Sequence, residues 1–195
     1  MPLDSSRLLG RAGSVLPRLA VAGLVLHVDD LPDGAALHGE TAPLVARDAL
    51  LRLPGTGLLA LGTREPALYG TDTLDDVEAL VTEAAAARGY EVRAVQSNHE
   101  GVLLDAIHAA RTDCAGIVIN PGGLTHTSVV LRDALSGVSL PVAEVHISDV
   151  YAREEFRHHS YVRDVAAVHI VGEGVAGYAR AVSLLIDVIA GRAEG

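Results

Sequence analysis

From about Ala49 onward, short aliphatic runs alternate with segments whose apolar residues recur every three or four positions. Leu74, Val77, Leu80, Val81 and Ala84 share one helical face. Thr73 stands at the N-cap position, Asp75 and Asp76 suit the positive end of the helix dipole, and Gly89 closes the segment. Glu91–Gln96 reads as a strand, and Asn98 as the cap of a helix carrying Leu103, Leu104, Ile107 and Ala110. Gly116–Asn120, "GIVIN", has the β-branched content of a strand buried on both faces. "PGGLTHTS" then reads as a loop, Ser128–Leu135 as a short helix, Pro141–His146 as a strand and Ala166–Val171 as the last strand. Gly174–Ala190 is the closing helix, with Val182, Leu185, Ile186 and Ile189 on its apolar face.

Upstream the pattern is weaker. Ala49–Leu53 is the expected first strand, although Arg52 interrupts it, and residues 54–69 are Gly-rich and irregular. Residues 1–45 stand apart: they suggest a short helix, a strand around Val21–Val28 and a turn at "DLPDG". The expected organisation is therefore an extension over residues 1–45 and one α/β domain over residues 46–195. Alternating strands and helices imply a parallel sheet covered on both faces. Ligands in such sheets bind beyond the carboxyl ends of the strands, which here are Pro54–Gly57, Asn120–His126 and His146–Arg157.

Composition narrows the chemistry. With 49% apolar but only 3% aromatic residues, the core must be built of Ala, Val, Leu and Ile. A formal net charge of -10 argues against binding nucleic acid through its phosphates. Cys114 is the only cysteine, so neither an intrachain disulfide nor a cysteine-based metal motif can form; it is expected as a buried, inert thiol. The histidines lack zinc-type spacing. All 15 basic residues are Arg, so lysine Schiff-base chemistry is excluded. Arg7, Arg11 and Arg18 precede an apolar stretch at 19–28 that faintly resembles a signal peptide, but without a small-x-small cleavage site. No run reaches the ~18 apolar residues of a membrane span. A soluble cytoplasmic protein is expected.

Three loops at the strand ends carry candidate chemistry. In "LGTREPALYG", residues 61–70, Arg64 and Tyr69 can meet around one ligand. A guanidinium beside a phenol favours the phenolate, whose ordinary pKa is near ~10, and a phenolate can abstract a weakly acidic C–H proton. The same loop can equally be a surface loop with a packed Tyr. In "INPGGLTHTS", residues 119–128, Asn120 ends a strand, and His126, Thr127 and Ser128 open a helix; helix capping alone is the alternative. In residues 144–161, Glu144 can charge or orient His146, which as an acid can protonate a leaving hydroxyl. Arg153 and Arg157 are spaced i,i+4 and would share a helical face. A solvated charged surface is the alternative there.

The segments "LGTREPALYG", "QSNHEG", "INPGGLTHTS", "LRDAL", "EVHIS", "AREEFRHHSY" and "GYARAV", in that order over about Gly55–Ala190, resemble the type II 3-dehydroquinate dehydratase family. The resemblance implies a flavodoxin-like, three-layer α/β fold with a five-stranded parallel sheet, and a dodecamer built from trimers. It implies cofactor-free dehydration of 3-dehydroquinate to 3-dehydroshikimate through an enolate. By the same resemblance, Tyr69 is the base, Arg64 activates it, His146 is the acid and Glu144 supports it. Asn120, His126 and Arg157 bind substrate hydroxyls, and the backbone at Ile147 and Ser148 holds the substrate carboxylate. Arg153 helps to organise the site, and Asp133 reaches a neighbouring subunit.

The chain also departs from the family. Where "NGPNLNLLG" is usual, residues 54–62 read "PGTGLLALG", so Gly57 and Leu59 replace two asparagines. Losing an oxyanion donor costs ~2.7–4 kcal/mol in other enzymes. Asp149 adds a negative charge near the carboxylate-binding loop, Tyr151 replaces a His, and Ala176 replaces a Gln. A weakened paralogue that binds a dehydroquinate-like ligand, or a dehydratase of a related substrate, remains the alternative to full activity.

Overall fold

A computed structural model describes residues 18–25, 61–62, 65 and 70–193. Its strands are β1 (Arg18–Val25), β2 (Glu91–Gln96), β3 (Gly116–Ile119), β4 (Val142–His146) and β5 (Val168–Val171). The long helices are α1 (Leu74–Ala86), α2 (Glu100–Asp113), α3 (Val129–Val138) and α4 (Ala176–Ala193). The five strands form one parallel sheet in the order β2-β1-β3-β4-β5.

The element that the sequence places least well is β1. It comes from within the stretch read as an extension, and it lies in the sheet between β2 and β3, pairing Leu19–Ala22 with Gly116–Ile119. An inner strand with helices on both faces favours an unbroken apolar run. "LAVAGLV", the run after Arg18, is one, whereas Ala49–Leu53 carries Arg52. Ala49–Leu53 itself lies outside the described residues.

Strand parity divides the core. Val118, Ala143, Val145, Val168 and Ile170 pack with Val77 and Val81 of α1 and Val182, Leu185 and Ile186 of α4. Ile117, Ile119 and Val142 pack on the opposite face with Ile107 and Ala110 of α2 and Leu131, Leu135 and Val138 of α3. Gly116 lets α4 cross β3 closely: a Cβ there would stand 3.1 Å from the Leu185 and Ile189 side-chain ends, tighter than an ordinary van der Waals contact. Among the described residues no helix is long and apolar enough to cross a membrane.

Local signals decide the ends. Thr73 caps α1 in a reciprocal capping box with Asp76, and Ser128 caps α3 by accepting from the Leu131 amide at 2.8 Å. The cap of α2 is His99 and not Asn98; its own amide donates to Ser97 Oγ at 2.9 Å. α3 runs three residues beyond Leu135, ending at Ser139 in the left-handed region with φ 58°. Cys114 is half-buried rather than fully buried, with Sγ 3.4 Å from Asp113 Oδ1. Residues 150–157 form two separate 3-10 turns, Val150–Ala152 and Glu155–Arg157, rather than a helix. The helical face expected for Arg153 and Arg157 therefore does not form.

Candidate active site

Alternation along β4 turns Val142, Glu144 and His146 to the same side of the sheet, at its carboxyl end. Val142 is in the core, so Glu144 and His146 are drawn in behind it, 0% and 5% exposed. A buried carboxylate must be paired, and the partners of Glu144 come from four elements. His146 Nε2 lies 2.9 Å from Oε1, and Thr125 Oγ1 donates to the same oxygen at 2.5 Å. Ser160 Oγ is shared between Oε1 and Oε2, at 2.9 and 3.1 Å. His169 Nδ1 stands 2.9 Å from Oε2, a close polar contact whose N–H is not aligned for a regular hydrogen bond.

Burial alone would raise the Glu144 pKa. The hydrogen bond from His146, the close polar contact of His169 and the hydrogen bond from Thr125, with the charge of His146, outweigh it and hold the carboxyl well below its ordinary 4.5. Glu144 is therefore an acceptor throughout the physiological range. It takes the Nε2–H of His146 and leaves Nδ1 of that ring for other chemistry.

His126 stacks on His146, with ring centroids 6.5 Å apart and planes 12° from parallel. Its Nδ1 is 2.6 Å from the His159 carbonyl, which can only accept, so Nδ1 carries a hydrogen. It belongs to the 3-10 turn Gly122–His126, inside the stretch read as a loop. Asn120 follows β3 directly. Its Nδ2 donates to Tyr178 Oη at 2.9 Å and its Oδ1 accepts from Gly122 N at 3.1 Å, so the amide orientation is set from both ends. Tyr178 is buried, which pushes its phenol up to about 12 although the Asn120 bond acts the other way; it serves as a neutral anchor for Asn120.

Ile147 and Ser148 follow β4 and are buried, and the loop they open is tied to β5 by Gly172 N donating to His146 O at 3.0 Å. Gly172 has φ 76°, and a Cβ there would lie 3.1 Å from Asp149 Cβ, so both conformation and space favour glycine. Asp149 turns its carboxylate onto its own loop, accepting from Tyr151 N at 2.9 Å.

Other candidates have partners of their own. Arg157 donates to Glu154 Oε2 at 2.7 Å and lies over the Phe156 ring, while Arg153 Nε is 3.7 Å from the same carboxylate oxygen. Asp133 is exposed on α3, with Arg132 Nη1 at 3.4 Å. Arg64, Tyr69, Gly57 and Leu59 lie outside the described residues. Among the described residues no group of three or more His, Cys, Asp or Glu could hold a metal ion.

Sequence reasoning passed over four groups: Thr125, Ser160, His169 and Tyr178. Thr125 and Ser160 sit inside recognised motifs, but only tertiary contact reveals what they serve. His169 was hidden in an apolar strand, although the parity of "VHIV" turns it to the face opposite Val168 and Ile170. Gln96, at the end of β2, is buried, and among the described residues neither amide atom has a hydrogen-bond partner.

The family described as "Dehydroquinase class II" matches residues 48–186. "Catabolic 3-dehydroquinase 2" of Aspergillus flavus is 57% identical over 146 residues, covering 75% of this chain and 97% of that protein. "3-dehydroquinate dehydratase" of Corynebacterium glutamicum is 57% identical over 138 residues, 71% and 95% of the two chains. The crystal structure of type II dehydroquinase from Propionibacterium acnes superposes with a TM-score of 0.67 at 32% identity, over 89% of this chain and 97% of that one. That from Butyrivibrio crossotus gives 0.68 at 35% identity, over 89% and 99%.

Proposed function

The chain belongs to the type II dehydroquinase family, and on that premise we propose that it removes water from 3-dehydroquinate to give 3-dehydroshikimate. The observation that carries the reading is the buried Glu144–His146 pair at the carboxyl end of β4.

In this reading Tyr69, as a phenolate beside Arg64, takes the proton at C2 and leaves an enolate. The enolate expels the C1 hydroxyl, and the Nδ1–H of the His146 imidazolium protonates it so that it departs as water. Glu144 favours that imidazolium and keeps the second ring nitrogen occupied. Asn120 and His126 bind substrate hydroxyls, with Arg157 released from Glu154 to join them, and the backbone at Ile147 and Ser148 takes the carboxylate. Asp133 acts on a neighbouring subunit of a trimer-based dodecamer. The fold is read as flavodoxin-like, with residues 46–195 as the catalytic domain completed by β1, in a cytoplasmic enzyme without cofactor.

One observation favours a slower catalyst. The only asparagines of the chain are Asn98 and Asn120, so neither Arg18–Val25 nor Ala49–Leu53 is directly followed by an asparagine to hold the enolate oxygen. This reading keeps binding and lowers the rate.

The test is turnover of 3-dehydroquinate by purified protein, followed as the rising ultraviolet absorbance of the conjugated enone. Wild type is expected to turn over, with His146→Ala slower by ~100-fold or more. Saturable binding without turnover would favour the weakened paralogue. Absence of both would overturn the assignment.

A further inference from the structure

Glu144 has more partners than a carboxylate needs merely to orient one histidine. Their distribution over its two oxygens is uneven. Oε1 meets His146, Thr125 and Ser160, whereas among the described residues Oε2 meets only the longer arm of Ser160 and Nδ1 of His169. The sheet puts His169 there by register, since Glu144 and His169 are direct Cα partners across β4 and β5. Both side chains leave the same face, because Val168 and Ile170 occupy the other. The His169 ring meets the His146 ring edge-on at 6.2 Å between centroids.

The outer side of His169 is also engaged. Tyr151 Oη is 3.4 Å from Nε2, and Arg163 Nη1 donates to that same Oη at 2.9 Å. One set of hydrogens suits the whole row. Arg163 donates to Tyr151, Tyr151 O–H points to His169 Nε2, His169 Nδ1 faces Glu144 Oε2 at 2.9 Å in a polar contact off the regular hydrogen-bond line, and His146 Nε2–H donates to Oε1. The row runs from an exposed guanidinium to a fully buried carboxylate, with His169 as the partly exposed link.

We infer that His169 is a positioning residue of the dehydration site, holding Oε2 of Glu144 so that Oε1 stays aimed at the acid His146, with Tyr151 and Arg163 fixing His169 from outside. This rests on the reading of His146 as the acid. Without His169 the carboxylate keeps three donors on one oxygen and one shared donor on the other, and it can swing about its Cγ–Cδ bond. The His146 ring then loses its fixed tautomer and direction.

Two variants and two readouts test it. His169→Val removes the contact and suits a strand, while His169→Asn returns an amide N–H near the place of Nδ1. Under steady-state turnover, His169→Val is expected to lose about tenfold in kcat with KM within about twofold, a fraction of the ~100-fold to 10,000-fold that a positioned acid supplies. His169→Asn is expected to recover most of that loss. Solid-state NMR of 15N-histidine-labelled protein reads the hydrogen-bonded Nε2–H of His146, assigned by its absence in His146→Ala. That signal should persist in His169→Asn and broaden or vanish in His169→Val. A folded His169→Val with wild-type kcat and an unchanged signal overturns the proposal, as does a folded His169→Asn that loses both. If His169→Val does not fold, His169→Asn alone decides by the same criteria. The NMR signal needs no turnover. An inactive wild type would therefore count against the assigned reaction, while the signal still decides the contact.

Discussion

Glu144 is where stability and chemistry depend most heavily on one side chain. Replacing it with alanine leaves His146, Thr125, Ser160 and His169 facing a hole where an acceptor stood. Breaking a buried ionic cluster by removing one partner costs roughly 3–5 kcal/mol, roughly a third to a half of the total if the stability of the domain is about 10 kcal/mol. Glu144→Gln is the gentler and more informative change. It preserves volume and one carbonyl acceptor, and the Thr125 and Ser160 hydroxyls can rotate to accept from the new amide. The charge that favours the His146 imidazolium is lost. Turnover should therefore fall by ~100-fold to 10,000-fold while unfolding free energy drops by only about 1–3 kcal/mol.

The pH dependence has a definite sign. The folded carboxyl titrates below its ordinary 4.5, so the stability it lends is complete above 4.5 and disappears as pH falls towards the depressed folded value. The gap between wild type and Glu144→Gln should narrow as the pH is lowered from about 5 to about 3. Urea unfolding followed by far-ultraviolet circular dichroism at a series of pH values measures this, with the enone assay alongside. A Glu144→Gln chain equal to wild type in both unfolding free energy and turnover would refute the reasoning.

Other positions make separate tests. Tyr178→Phe removes the hydroxyl that anchors Asn120 Nδ2 and should cost about 1–3 kcal/mol in denaturant unfolding; KM should rise more than kcat falls, since Asn120 is read as a binding group. Gly172→Ala forces a Cβ to within 3.1 Å of Asp149 Cβ at φ 76° and should destabilise by roughly 1–3 kcal/mol, with a lower Tm. Gln96→Met keeps the shape of a buried side chain whose amide has no partner among the described residues, so it should raise unfolding free energy by about 1 kcal/mol with turnover unchanged. A loss of turnover there would show that the amide serves the ligand.

By itself the sequence determined the periodic elements from Leu74 onward, because their burial is written locally as period two or period 3.6 and their ends as Thr73 and Ser128 caps. It also marked the strand ends where candidate polar residues gather and paired Glu144 with His146, which the structure places on one side of β4. Tertiary structure decided what depends on contacts far apart in the chain. The strand between β2 and β3 is Arg18–Val25, and strand pairing across more than 60 residues has no local signature. The 146–157 segment breaks into two 3-10 turns, so the spacing of Arg153 and Arg157 does not put them on one helical face. Thr125, Ser160 and His169 converge on Glu144 from three other elements because the fold and the register of β4 against β5 bring them there. A lone histidine in an apolar run carries no sign of its partner. Its meaning came from the residue opposite it across the sheet.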